Sequence, residues 1–210
     1  MAEERSASAV AAIAEPGPLG LGAFALTTFV LSTHNAGWAP DLTWVGLAIF
    51  YGGLGQFMAG MWEFKKNNTF GATAFSTYGA FWLGLATFIL LVLFGKVPAK
   101  DVDNDLGWYL LAFAIFNIYM LAWSARTTVA VFLVFLTLQI TEILLFIGFF
   151  SANMSIIQAG GIVGVVTALV AWYASAAGVG NNMGGAPVLP VGRPLWNVAA
   201  PTATRAAGRA

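Results

Sequence analysis

The chain has 210 residues, enough for one domain, of which 59% are hydrophobic and only 9% charged, against about 25% charged in soluble domains. Nine basic residues balance nine acidic ones, which removes the positive footprint of a nucleic-acid binder. With no cysteine there are no disulfides, thiolate catalysis, zinc–thiolate sites or iron–sulfur clusters, and a single histidine gives no basis for a haem or multi-histidine metal site.

So few charges cannot clothe a soluble globule, so the chain reads as an integral membrane protein. Residues 1–14 read as a mobile cytoplasmic segment. Glu3 and Glu4 stand where the basic region of a signal peptide belongs, and no separate apolar core precedes the first span, so no signal peptide is expected. A helical crossing needs about 20 mostly apolar residues. Six runs qualify: Pro18–Gly37, Leu42–Glu63, Thr69–Gly95, Leu106–Trp123, Thr127–Phe150 and Ile157–Gly180. None alternates as a barrel strand does, so the expectation is an all-α membrane domain of six transmembrane helices over residues 15–180. Helices satisfy their own backbone hydrogen bonds in lipid.

Residues 181–210 carry Pro187, Pro190, Pro194 and Pro201 among glycines and alanines. They read as a mobile cytoplasmic tail, with Leu189 and Trp196 resting on the membrane interface. Arg5, Lys65, Lys66, Arg126, Arg193, Arg205 and Arg209 fall on one side of the spans, and only Lys96 and Lys100 on the other. This bias predicts cytoplasmic termini. Three spans on each side of the Lys96–Asp105 loop make an inverted repeat topologically possible, without a residue-level match between the halves.

The polar residues within the spans are the candidate functional groups. Pro18 suits a first helical turn, because proline has no N–H to lose there, and the free amides of that turn either attract an anion or simply mark a helix start. Thr27 and Thr28 offer hydroxyls to a polar path or to their own helix. His34 and Asn35, beside Trp38, read as loop or headgroup contacts. Gln56 lies deep in span 2, and Gly55 and Ala59 form a small-xxx-small pair that admits a neighbouring helix, as do Gly160 and Gly164 in span 6. Glu63 is either an interfacial acid paired to a lysine or a lock between spans 2 and 3, with Asn68 or Thr69 capping the next helix. Glu142 stands near the middle of span 5, with Gln139 on nearly the same face. An intramembrane acid is costly; it reads equally as a pathway carboxylate, a protonated acid bonded to a neighbour, or a subunit contact.

These residues resemble the acetate uptake transporter family, the succinate–acetate permeases. The resemblance runs through Glu15-Pro16-Gly17-Pro18-Leu19-Gly20-Leu21, Thr27-Thr28, His34-Asn35, Phe50-Tyr51-Gly52-Gly53 with Gln56, and Ala59-Gly60-Met61-Trp62-Glu63. It continues through Asn68-Thr69-Phe70-Gly71-Ala72-Thr73-Ala74-Phe75-Ser76 to Tyr78-Gly79-Ala80-Phe81-Trp82. The family signature is Asn-Pro-Ala-Pro-Leu-Gly-Leu; here Glu15 replaces its asparagine and Gly17 its alanine. An ionised carboxylate at that position opposes an anionic substrate.

The resemblance implies a six-helix protomer in a homo-hexamer, with a substrate path through each protomer. It also implies a constriction of an aromatic from span 1, a tyrosine from span 3 and a leucine from span 5, matched here by Phe24, Tyr78 and Leu138. The implied function is membrane passage of acetate or related small monocarboxylates, succinate among the further candidates, by channel or proton-coupled transport, in the plasma membrane and without a cofactor. Two rivals are a hexameric urea- or amide-type channel and a membrane enzyme or electron carrier. The latter lacks a reactive constellation, and no span carries the lysine a retinal pigment needs, so no enzyme is expected.

Overall fold

A computed structural model describes residues 13–40 and 42–196; the expectations for residues 1–12 and 197–210 lie outside these. Six helices run through the described residues: α1 Gly17–Asn35, α2 Thr43–Lys65, α3 Thr69–Leu93, α4 Val102–Ser124, α5 Val129–Phe150 and α6 Met154–Asn182. Local chemistry sets their ends. Pro16 precedes α1 and Pro18 lies in its first turn, where no intrahelical N–H is lost. Gly37 closes α1 at φ +77°, a conformation that glycine adopts without a Cβ penalty. Asn68 Oδ1 caps α3 from Gly71 N at 3.1 Å. Thr128 Oγ1 caps α5 from Val131 N at 3.3 Å, and Asn153 Oδ1 caps α6 from Ser155 N at 3.0 Å.

Helix α2 is not uniform. Over Phe50–Gly55 its backbone widens into a π-helical stretch, and α-helix resumes at Gln56. Such bulges re-aim the side chains that follow them, and Gln56 emerges buried and turned inward.

Helices α2 to α6 have the length and mean hydropathy for a membrane crossing. Helix α1, of 19 residues, is not among them, because Thr27, Thr28, Ser32, Thr33, His34 and Asn35 lower its mean hydropathy. Thr27, Thr28 and Ser32 are buried on it, and it packs chiefly on α6. The outer surface of the other helices carries exposed Phe50, Leu93, Ile115, Ile118 and Leu169, as a lipid-facing exterior requires.

The small residues pack within the protomer. A Cβ on Gly161 would strike the backbone at Asn35 and Ala36, one on Gly164 would strike Ser32, and one on Gly160 would lie 2.8 Å from Leu145. These contacts seat α6 against α1 and α5. Of the Gly55–Ala59 pair, Ala59 is fully buried within the protomer, and among the described residues no other helix of the protomer is seated on Gly55. Gly55 has only Tyr51 and Phe50 of its own helix nearby, while the close approaches of α2 are Gly52 on Thr27, Gly53 on Leu83 and Gly60 on Ser76. Gly55 ends the π-helical stretch and is half-buried.

Beyond α6 the chain folds back. Asn181 Oδ1 accepts from Val188 N and Leu189 N, and Tyr173 donates to Pro190 O at 2.6 Å. Val191 O accepts from Ala130 N, Ala125 O accepts from Trp196 N, and Trp196 stacks on Trp123 at 5.8 Å. Composition alone did not foresee these contacts, which rest on side chains of α4 and α6 and on backbone groups on either side of the turn between α4 and α5.

Candidate functional site

Three cavities lie in a row inside the bundle. The first, about 140 Å³, is bounded by His34, Asn35, Trp44, Leu85 and Leu106. The second, about 40 Å³, shares Leu31, Asn35, Leu110 and Leu145 with the first and adds Thr28, Trp82 and Glu142. The third, about 20 Å³, is lined by Leu21, Gln56, Phe75 and Phe135. Phe24, Tyr78 and Leu138 line both the second and the third, so they form the wall between them. Phe24 meets Tyr78 edge-on, with ring centroids 6.0 Å apart. Among the α5 residues lining these cavities, Leu138 alone faces both; Thr141 and Leu145 face the second but not the third.

The linings are mostly apolar but not wholly so. Trp44 Nε1, Thr28 Oγ1, Trp82 Nε1, Glu142 Oε2 and Gln56 Oε1 are buried without a protein hydrogen-bond partner. They are spread over all three cavities. Unpaired buried polar atoms are expensive, and a row of them along a cavity suits a polar solute that exchanges partners as it moves.

Behind Tyr78 stands a hydrogen-bonded cluster. The Tyr78 hydroxyl lies 3.0 Å from Asn117 Oδ1 and 3.2 Å from Glu142 Oε1. Asn117 Nδ2 donates to Phe135 O and to Gln139 Oε1, each at 3.0 Å. Thr141 Oγ1 lies 3.1 Å from Thr167 Oγ1 and ties α5 to α6. Glu142 is only 3% exposed and faces the protomer interior, so it is not a subunit contact.

A second polar group closes one end of the bundle. Asn68 Nδ2 donates to Glu63 Oε2 at 2.8 Å, while the same Asn68 caps α3. Glu63 therefore locks α2 to α3 through Asn68, and not through a lysine. Lys66 instead pairs with Glu15. Glu15 and Pro18 border an open groove of about 440 Å³ at this end. Glu15 thus borders the groove beside a cation, and its charge is locally offset.

The other residues singled out in the sequence separate by position. Asn35, Thr28, Gln56, Glu142, Leu21 and the trio Phe24, Tyr78 and Leu138 face the cavity row. Thr27 packs on Gly52, and Gly20 on the Phe75 ring. Thr69 begins α3 and borders an outer groove with Trp123 and Arg126. Pro16 precedes α1, and Leu19 is exposed. His34 lines the first cavity, its Nδ1 3.3 Å from Ala39 O. Asn117, fully buried at the centre of the cluster, escaped the sequence reading. A lone asparagine in the apolar run Phe116-Asn117-Ile118 was the available signal.

Residues 2–192 match the GPR1/FUN34/yaaH family. The ammonia transport outward protein 2 of Saccharomyces cerevisiae is 42% identical over 177 residues, a match that covers 80% of this chain and 62% of that protein. The chain thus spans about three-fifths of this longer relative. Acetate permease A of Emericella nidulans is 41% identical over 202 residues, covering 88% of this chain and 67% of that protein. The succinate-acetate/proton symporter SatP of Escherichia coli K12 is 38% identical, covering 86% of this chain and 96% of that protein. The solved structure of the bacterial acetate channel SatP superposes with a TM-score of 0.82, at 38% identity, over 86% of this chain and 100% of that one.

Proposed function

The chain belongs to the GPR1/FUN34/yaaH family, and on that premise we propose that it is a multi-pass membrane channel or transporter for acetate and related small monocarboxylates. The observation that carries this reading is the row of three cavities walled at one point by Phe24, Tyr78 and Leu138, in a chain similar to a protein known as an acetate channel. The wall is the gate. It rejects bulky or strongly hydrated solutes, as apolar constrictions do by dewetting. Unpaired groups on either side, Thr28 and Trp82 on one and Gln56 on the other, replace part of the carboxylate's hydration, since a charged group bears a desolvation cost there.

In this reading α1 completes six membrane crossings. The end bearing Lys65, Lys66 and Arg126 is cytoplasmic, and the exposed apolar faces meet lipid and neighbouring protomers of a hexamer. Because the Gly160–Gly164 face is used inside the protomer, the interprotomer contact falls on other surfaces. Reconstituted acetate flux, measured with and without an imposed proton gradient, tests the reading. Liposomes carrying assembled protein are expected to pass acetate faster than empty ones, and equal rates would refute it.

A second reading, passage of small neutral solutes, draws support from the relative named for outward ammonia transport. Acetate-carried electrical current, or acetate-driven proton uptake where the two move together without net charge, favours the first reading, because a path for neutral solutes gives neither.

A further inference from the structure

The cluster behind Tyr78 has a countable set of hydrogens. The amide of Asn117 has a fixed orientation, because the Phe135 carbonyl beside its Nδ2 can only accept. Asn117 Oδ1, turned to Tyr78 at 3.0 Å, therefore needs a donor, and the phenol is the group in place to supply it. A phenol carries one hydrogen. Once it is given to Asn117, the 3.2 Å contact between Tyr78 and Glu142 Oε1 is a bond only if Glu142 supplies the hydrogen. The surroundings agree with this assignment. Among the described residues the one ion pair is Lys66 with Glu15, so no cation accompanies Glu142, and an unpaired buried charge is strongly disfavoured.

We propose that Glu142 is a proton-binding site of the pathway, holding its proton against the Tyr78 hydroxyl and admitting a carboxylate into the second cavity only while it is neutral. This rests on the acetate reading above. Both Glu142 and Tyr78 line the second cavity, and Glu142 Oε2 has no protein partner, so an entering anion meets the acid directly. Loss of the proton has two consequences. The ionised carboxylate repels the anion. It also competes for the one phenolic hydrogen, a contest a charged acceptor wins, which leaves Asn117 Oδ1 without a donor and loosens Tyr78 at the constriction.

The proton moves between the Glu142 carboxyl and water, with no other group consumed. The titratable groups nearby are Tyr78 of α3, directly bonded, and Tyr119 of α4, on the far side of Phe116. The rest of the second cavity is lined by neutral groups: Thr28, Ser32 and Asn35 from α1, Trp82 from α3, Leu110 from α4 and Thr141 from α5. Thr167 of α6 joins through Thr141.

The test is tracer acetate exchange in proteoliposomes at equal internal and external pH, at several pH values above acetate's own titration, with empty liposomes subtracted. No gradient drives the exchange, so its rate reports access to the path. Wild-type exchange is expected to fall as pH rises, Glu142→Gln to lose that decline, and Glu142→Asp, which keeps a titratable group, to regain it. A flat wild-type profile, or a Gln variant that declines like wild type, overturns the proposal. Infrared spectroscopy of the assembled protein provides an arm independent of transport. A protonated-carboxyl C=O band, shifted in heavy water and lost in Glu142→Gln, is expected, and its absence from wild type overturns the proposal even if the variants fail to assemble. Wild type that shows the band but no acetate exchange above empty liposomes would instead remove the acetate reading, and with it the admission of a carboxylate by Glu142.

Discussion

Where α1, α2 and α3 meet, backbones come together over missing side chains: Gly20 lies on the Phe75 ring, Gly52 on Thr27, and Gly79 on the backbone of Phe57. Where α4 meets α5 beside the same cavities, the contact is a set of hydrogen bonds, with Asn117 joining Phe135 and Gln139 on one side and Tyr78 on the other. The first wall is fixed by shape, and no change of charge or protonation alters it. The second is held by donors and acceptors, so its arrangement depends on which groups carry hydrogens. Tyr78 touches both walls, packing on Phe24 of the first and bonding to the second.

The largest effect should come from filling the first wall. A Cβ on Gly79 would stand 2.6 Å from Phe57 N and 2.8 Å from its Cα, and backbone cannot rotate aside as a side chain does. Gly79→Leu is expected to exceed the about 1–3 kcal/mol typical of overpacking a core that can shift. Size-exclusion profiles and thermal unfolding in detergent should show loss of the assembled form. A variant that melts like wild type would mean that α2 and α3 are not held by backbone contact.

An intermediate effect is expected from opening the second wall. Asn117→Ala strips Gln139 Oε1 of a donor and Tyr78 of an acceptor in a fully buried place, which at about 1–3 kcal/mol per stranded group lowers unfolding stability without abolishing the fold. The same variant should alter acetate flux, because Tyr78 loses one of its two tethers. Unchanged stability and unchanged flux together would reduce the cluster to incidental contacts.

A smaller and more selective change is expected where the walls meet. Leu138→Ala removes bulk from the one α5 residue facing both inner cavities, so lactate should gain passage relative to acetate in liposomes holding equal amounts of assembled protein. An unaltered ratio, with Phe24→Ala and Tyr78→Ala equally silent, would place the constriction elsewhere.

The two walls also differed in how much the sequence disclosed. The first is built on glycines, which the sequence shows as places with no side chain but without naming what lies against them; Asn68 as a cap of α3 was legible because a cap acts on its own helix, three residues away. The π-helical stretch at Phe50–Gly55 was not, because one widened turn leaves no mark in composition or spacing. The second wall joins residues far apart in the chain, Tyr78, Asn117 and Glu142, and nothing local reports such pairing. Glu142 stood out by its charge, but Asn117 by nothing except being polar among apolar neighbours. The two readings of Glu63 were left open for a related reason. Sequence proximity allowed a lysine or the next helix as the partner of Glu63, and the fold settles it by bringing Glu15 to Lys66 from 51 positions away and Asn68 to Glu63.

That ion pair gives the mildest prediction. Lys66 and Glu15 are 29% and 32% exposed, and pairs this open to water contribute about 0–1 kcal/mol, so breaking the pair should leave the melting temperature nearly unchanged. Its effect on an approaching anion is different, because it depends on net charge at the groove and not on the strength of the bond. Lys66→Ala leaves the Glu15 carboxylate uncompensated and should slow acetate entry; Glu15→Gln leaves the ammonium and should speed it. Combining the two restores neutrality and should bring the rate back toward wild type. All three differences should shrink as salt is raised, since exposed charges are screened over about 10 Å at 0.1 M ionic strength. Acetate flux in liposomes at low and high salt, with impermeant ions used for adjustment, measures this directly. Equal rates for the two single variants at low salt would mean that acetate does not enter past Glu15, and would move the mouth of the path away from the start of α1.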